Sequence, residues 1–127
     1  MGRHVRRLLP GAAAALTAVA VAAPVHAHHG WSEYSDEQFE ITGTLDTPVS
    51  LAGPHGTAAI AVGDQVWDLV FAPSTRTARA GLEEDVVPVG DEVTASGHRH
   101  RDPKTFEIKV ERLTWNGTVF NVYPDRN

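Results

Sequence analysis

Apolar and polar residues alternate along several short stretches of this chain, and this period of two predicts half-buried β-strands. Weaker alternation over residues 57–62 and 92–98 predicts two further strands, and residues 119–123 predict a short last strand. In the three clearest stretches, large apolar side chains share one face, and we expect these rows to converge on a common core. The three rows are Phe39/Ile41/Leu45, Trp67/Leu69/Phe71 and Phe106/Ile108/Val110.

Residues that favour turns separate these stretches. Asn116-Gly117 matches the type I′ turn of a two-residue hairpin. Between the third and fourth predicted strands, residues 75–80 have room for about two helical turns. Ser74 is suited to accept a hydrogen bond as the N-cap of this helix, and Gly81 to adopt the left-handed conformation that ends it.

The predicted order is three strands, a short helix, two strands and a sixth short strand. This order is typical of an all-β fold with one short helix, an OB-like closed barrel of five to six strands. The alternative is a small open β-sandwich in which the helix is only a turn of a loop. Residues 38–127 would form this single domain, and the polar, aperiodic residues 28–37 an extended N-terminal segment.

Residues 1–27 have the pattern of a secretory signal peptide. Three arginines precede an almost unbroken apolar run over residues 8–23, and residues 25–27 (Val-His-Ala) provide the small residues of a cleavage site. An uncleaved membrane anchor needs about 20 apolar residues, and this run is shorter and ends in Ala-Pro. We therefore expect export to the periplasm or the outside of a bacterium, with no stable membrane insertion after cleavage. Cleavage after Ala22 or Ala23 stays open as an alternative.

Composition and charge exclude several classes of function. The chain has no cysteine, which excludes disulfides, thiolate metal sites and cysteine nucleophiles. After residue 27, eight basic and sixteen acidic residues remain, which leaves a formal charge of −8. Such an acidic surface disfavours nucleic acid as a partner and is compatible with cations.

Histidine carries the strongest chemical signal in the expected mature chain, which would begin with His28 and His29. A free N-terminal histidine offers its α-amine and its imidazole as one chelate, and nitrogen ligands of this kind suit Cu(II). His55 lies in a glycine-containing loop that lets the backbone approach a ligand closely, so it is the candidate third ligand. We expect a divalent metal ion, copper first, at His28, His29 and His55. The alternative is that all three are surface histidines.

The remaining histidines and acidic side chains carry weaker signals. His98 and His100 share one face of a strand end, a spacing that can hold a metal ion, but an arginine follows each of them. An exposed cationic loop is therefore the preferred interpretation, and their participation in metal binding stays open. Glu107 and Glu111 are expected on the solvated outer face of their strand.

Several motifs of this chain occur together in one protein family. They are HHGWSEY over residues 28–34, Pro54-His55, Trp67 leading into LVFAPSTRTARAGL, and EIKVERL over residues 107–113. On these motifs the chain resembles an uncharacterised, domain-of-unknown-function family of small exported bacterial proteins whose mature chain begins with His-His-Gly-Trp. The resemblance covers the whole mature chain and implies export and a compact β fold, without an activity. One departure is at residues 73–76, which read Pro-Ser-Thr-Arg where the family has Pro-Pro-Ser-Arg.

These observations favour an exported protein that carries or sequesters a copper or other divalent ion at its mature N-terminus. The alternative is a metal-free OB-type module that binds a small ligand or another exported or membrane protein. An enzyme that uses the same copper for oxidation ranks last, because so small a domain offers little surface to orient a substrate. We therefore assign no catalytic residues.

We expect the protein recovered from an exporting host to begin at His28, because cleavage after Ala27 leaves that residue with a free amine. Measurement of the intact mass tests this start. A mature chain that begins at Ala23 or Pro24 would have no free amine on His28 and would contradict the chelate.

Overall fold

The computed structural model describes Gly2, Gly11 and residues 30–126. His28, His29 and nearly all of the expected signal peptide lie outside the described residues. No helix in the described part of the chain is long and apolar enough to cross a membrane. The elements are β1 (Phe39–Ser50), β2 (His55–Val62), β3 (Gln65–Pro73), α1 (Ser74–Arg79), β4 (Glu92–Arg99), β5 (Glu107–Trp115) and β6 (Thr118–Asn121), with 3-10 turns at Trp31–Glu33 and Pro124–Arg126.

The six strands form one sheet that closes into a barrel. β1 pairs with β2 and β4, β2 pairs with β3, and β4 pairs with β5, all antiparallel. A short parallel pairing of β3 with β5, in which Leu69 is opposite Ile108, closes the ring. β6 adds to the last residues of β5 on the outside, after a turn whose Asn116 and Gly117 have φ of 47° and 78°. The prediction of an OB-like closed barrel is confirmed, and the open sandwich is wrong.

The barrel interior contains the three apolar rows that the alternation predicts. Leu69, Phe71 and Ile108 are completely buried there. The residues nearest the barrel ends, such as Phe39 and Phe106, are half-buried and pack against the core from its edge. The rows therefore share one interior, because alternate side chains of every barrel strand point inward.

A bulge in β5 lets both halves of that strand contribute to the core. Glu111 is an extra residue in β5 without a partner of its own in β4, so the alternation shifts by one at this point. Val110 before the bulge and Leu113 after it are both core residues. The two strands approach closely here: a Cβ on Gly97 would lie 2.0 Å from the Lys109 carbonyl oxygen, so only glycine fits.

The residues before β1 lie against the outside of the barrel. We call residues 30–37 the docked segment: it contains the first 3-10 turn and then runs beside the end of β4. Tyr34 forms a β-bridge with His100, and the Ser35 amide donates a hydrogen bond of 2.8 Å to the Arg99 carbonyl. Backbone hydrogen bonds thus fix the segment across the outer face of the sheet.

Both tyrosines of the chain are buried where the ends of the domain meet the barrel. Tyr34 is 2% exposed, and its hydroxyl donates a hydrogen bond to the Glu107 carboxylate. Burial raises the pKa of Tyr34 far above its usual range, and the bond to Glu107 adds to the increase because it requires the neutral hydroxyl. Burial also raises the pKa of Tyr123, against the opposing effect of two nearby arginines.

Replacement of Ile108 by alanine should destabilise the domain by about 2–5 kcal/mol, because it removes a fully buried side chain at the point where β3 and β5 close the barrel. Urea denaturation measures this change in the free energy of unfolding. Val119→Ala is the control, because Val119 is 55% exposed on β6 and its truncation should change stability by less than about 0.5 kcal/mol. A cost for Ile108→Ala as small as that of the control would contradict a common core.

Near pH 10, the native protein should contain much less tyrosinate than the same protein unfolded in guanidinium chloride. The folded state keeps both hydroxyl protons while the unfolded state loses them near the ordinary value of about 10, so stability should fall as the pH rises above that value. Ultraviolet absorbance of tyrosinate measures the difference. Tyr34→Phe leaves Tyr123 as the single tyrosine and separates the two contributions. Ionisation of Tyr34 near pH 10 in the native state would contradict a docked segment.

Candidate functional site

A cavity of about 350 Å³ opens between the docked segment and the start of β2. Residues from both chain segments and from the turn between β4 and β5 line it. The polar part of the lining comprises His55, His100, Glu33 and Glu107, and the apolar part includes Pro54, Tyr34 and Val70. We call it the His55 cavity. The sequence predicted a ligand site at His55 and did not predict its neighbours there.

His55 is the first residue of β2, and the start of α1 fixes the loop before it. The Ser74 hydroxyl donates a hydrogen bond of 2.6 Å to the Gly53 carbonyl, and the Ser74 amide donates one of 3.0 Å to the Pro54 carbonyl. No side chain caps α1, so the prediction that Ser74 accepts a capping bond is wrong. The hydroxyl instead holds the loop that leads into the cavity.

His100 enters the same cavity as a hydrogen-bond donor. Its Nδ1 lies 3.1 Å from the backbone nitrogen of Asp102 and accepts a hydrogen bond from that amide. Because an amide N–H only donates, the proton of a neutral His100 ring is on Nε2. The ring packs edge-on against Tyr34, with 5.6 Å between the ring centroids. In this arrangement His100 is suited to donate to a ligand oxygen rather than to bind a cation.

A buried lysine lies beside the cavity, under the aromatic rings of the docked segment. Lys109 is 1% exposed, and its Nζ lies 5.4 Å from the Trp31 ring centroid and 5.9 Å from that of Tyr34. Burial lowers the pKa of Lys109, and the nearby Glu107 carboxylate opposes that change. The electron-rich faces of the two rings favour the ammonium form that burial disfavours.

Two further polar side chains are buried on the same face of the sheet. Glu111 is 0% exposed and His98 is 7% exposed, and His98 Nε2 lies 2.8 Å from Glu111 Oε1. His98 Nδ1 lies 2.8 Å from the Ser35 carbonyl oxygen, and the Gln38 side chain donates a hydrogen bond of 3.0 Å to Glu111 Oε2. The predictions of an exposed loop at His98 and a solvated Glu111 are therefore wrong, because the docked segment covers this face. We call His98, Lys109 and Glu111 the buried polar cluster.

The C-terminal turn covers the cluster from the other side. The Arg126 guanidinium lies 3.7 Å from the Trp31 ring centroid, and its Nε is 3.5 Å from Glu111 Oε1. Trp31 also meets the Tyr123 ring edge-on, with 5.0 Å between centroids. Both ends of the described chain thus meet over the polar face of β5.

The predicted metal ligands are divided between described and undescribed residues. His55 lies in the cavity, whereas His28 and His29 lie outside the described residues. Among residues 30–126, no three histidine, aspartate or glutamate side chains are grouped so that they could hold a metal ion. Of the two histidines at the end of β4, His100 joins His55 in the cavity and His98 is bound to Glu111.

Comparison with solved structures finds partial similarities at low sequence identity. A chain of the S. pombe Stn1-Ten1 complex is 13% identical, with a TM-score of 0.48 over 61% of this chain and 57% of that chain. A ZRD-deleted mutant of TiaS in complex with agmatine is 14% identical, with a TM-score of 0.48 over 68% of this chain and 26% of that chain. This chain therefore spans less than two thirds of the length of either protein.

No curated protein matches this chain by sequence. The model of one protein family, however, matches residues 15–109, from the apolar run of the expected signal peptide to the middle of β5. The resemblance that the sequence motifs indicate is confirmed: the chain belongs to DUF6152, a family of unknown function.

Proposed function

We propose that this protein binds a divalent metal ion, copper first, where its N-terminal segment meets the His55 cavity, and that it carries or sequesters the ion outside the cytoplasm. His28 would contribute its amine and imidazole, His29 would lie beside it, and His55 would complete the site. The observation that carries this proposal is that Glu33 and Tyr34 of the docked segment line the same cavity as His55.

The length of chain between these residues supports the proposal. His29 precedes Glu33 by four residues, which span at most about 14 Å when fully extended. The docked segment is itself held by backbone hydrogen bonds, so it limits how far the mature N-terminus can move from the cavity. A chelate from the N-terminus and an imidazole from β2 would supply three nitrogen ligands, a set that suits Cu(II).

The charge of the cavity also favours a cation. Glu33 and Glu107 line it, and the chain after residue 27 has eight basic residues against sixteen acidic ones. His100 is not assigned as a ligand, because its Nδ1 accepts the Asp102 amide and its Nε2 then carries the proton. The proposed ligands therefore remain His28, His29 and His55.

A metal-free binding module is the second candidate, and the position of the cavity favours it. OB barrels bind ligands on the face of their second and third strands, between the loop after the first strand and the loop after the fourth. The His55 cavity includes residues from β2, from β3 and from both of these loops. Its apolar lining and the Nε2–H of His100 are suited to a small organic ligand with a hydrogen-bond acceptor.

One extra residue before His28 should weaken Cu(II) binding much more than Zn(II) binding. The extension replaces a basic amine by an amide and breaks the chelate ring, but it leaves every imidazole in place. Zn(II) accepts imidazoles in tetrahedral geometry and should be less affected. Isothermal titration of the chain that starts at His28, of the extended chain and of His55→Ala measures these affinities. Both variants should bind Cu(II) at least about tenfold more weakly than the correctly started chain.

The matched control is His100→Ala, which removes an imidazole from the same cavity and should leave the Cu(II) affinity unchanged. The effect of His55→Ala should be larger at neutral pH than at pH 5, because imidazoles with a usual pKa of about 6.5 are largely protonated at the lower pH. Equal Cu(II) affinities for all four proteins would contradict the metal site and favour the metal-free module.

A further inference from the structure

A second cavity, of about 470 Å³, lies on the other side of the docked segment. It opens between residues 35–39 and the turn that follows β4. Its lining includes three cationic or donor side chains in a row, Arg99, His100 and Arg101. We call it the Arg99 cavity. It shares only His100 with the His55 cavity.

Aromatic rings at the end of the barrel hold the Arg99 guanidinium in place. Its Cζ lies 4.8 Å from the Trp67 ring centroid, 5.7 Å from that of Phe106 and 6.0 Å from that of Phe39. One of its N–H groups donates to the Pro103 carbonyl at 3.1 Å. Within the described residues, no carboxylate lies within ion-pair distance of Arg99. A guanidinium has five N–H donors, so this fixed cation keeps donors for a ligand.

Arg101 is attached to the docked segment through its Nε, which donates to the Ser32 carbonyl at 3.1 Å. Its Nη2 lies 3.4 Å from a carboxylate oxygen of Asp36, whose side chain is 97% exposed. An ion pair this exposed contributes little to stability, so a ligand can replace Asp36 at small cost. His100 adds a third donor, because its Nδ1 accepts from a backbone amide and its Nε2 carries the proton.

The concentration of positive charge at this turn is unusual for the chain. Three of the eight basic residues after residue 27 lie within residues 99–104, in a sequence with sixteen acidic residues. The overall negative charge disfavours nonspecific adsorption of anions, so a local group of cations at a cavity indicates a selective site. Glu37 also lines the cavity, and its negative charge opposes multiply charged ligands.

We propose that the Arg99 cavity binds a small organic carboxylate. The planar guanidinium of Arg99 matches the two oxygens of a carboxylate, with Arg101 and His100 as further donors. Phe39 at the cavity wall is suited to contact an apolar substituent of the ligand. A doubly charged phosphate is disfavoured by Glu37 and by the acidic surface. This site is independent of the proposed metal site.

Two-dimensional NMR titration of the metal-free protein that starts at His28, with benzoate, acetate and inorganic phosphate as probes, tests the assignment. We expect saturable shifts confined to residues 35–39 and 99–103, with benzoate binding more tightly than acetate and acetate more tightly than phosphate. Arg101→Gln should weaken benzoate binding about tenfold, since it removes a charged donor. Arg99→Lys, which keeps the positive charge over the aromatic rings but loses the planar pair of donors, should weaken it similarly.

The controls separate this site from general electrostatics and from the metal site. Arg79→Gln removes an exposed charge on α1, outside the cavity, and should leave benzoate binding unchanged. His55→Ala should also leave it unchanged, although it weakens copper binding if the proposed function is correct. Unchanged benzoate affinity in Arg101→Gln and Arg99→Lys would overturn the proposal, as would tighter binding of phosphate than of either carboxylate.

Discussion

The burial of charged side chains on the outer face of β5 is the constraint on which the ends of this domain depend. A barrel strand exposed to water can carry Lys109 and Glu111 without partners, but a covered one cannot, because an unpaired buried charge is strongly unfavourable. The partners come from outside the barrel: His98 and Gln38 contact Glu111, and the rings of the docked segment cover Lys109. The N-terminal and C-terminal segments are therefore parts of the folded unit rather than tails.

The docked segment also determines where the surface of the barrel is concave. It lies across the sheet between two cavities, with Glu33 and Tyr34 at one and Ser35 to Phe39 at the other. His100 lines both cavities, and its β-bridge to Tyr34 fixes its backbone. One short stretch of chain thus provides an acidic cavity suited to cations and a basic cavity suited to anions, although a barrel without it would have neither.

The sequence was sufficient for the barrel and insufficient for its outer surface, and the reason is physical. Period-two alternation identified Leu69 and Ile108 as core residues, because the interior of a closed barrel is apolar along every strand. The same alternation assigns Glu111 to the outer face but contains no information about what covers that face. His55 was recognisable from its loop, whereas its proximity to His100 depends on contacts between residues distant in sequence. The polar row of β5 and an aromatic segment with no place in the barrel were the available signals.

β5 has a further consequence for how the chain can fold. The first four strands form an open sheet in the order β3-β2-β1-β4, and both outer strands of that sheet stay unpaired until β5 joins them. Because β5 pairs with β3 and β4 and also carries two members of the buried polar cluster, ring closure and docking of both termini depend on the same late segment. A nascent chain that ends before residue 107 therefore exposes two sheet edges at once, the state in which strands of separate molecules associate most readily. The interval between synthesis of β4 and of β5 is the period in which this protein is most vulnerable to aggregation.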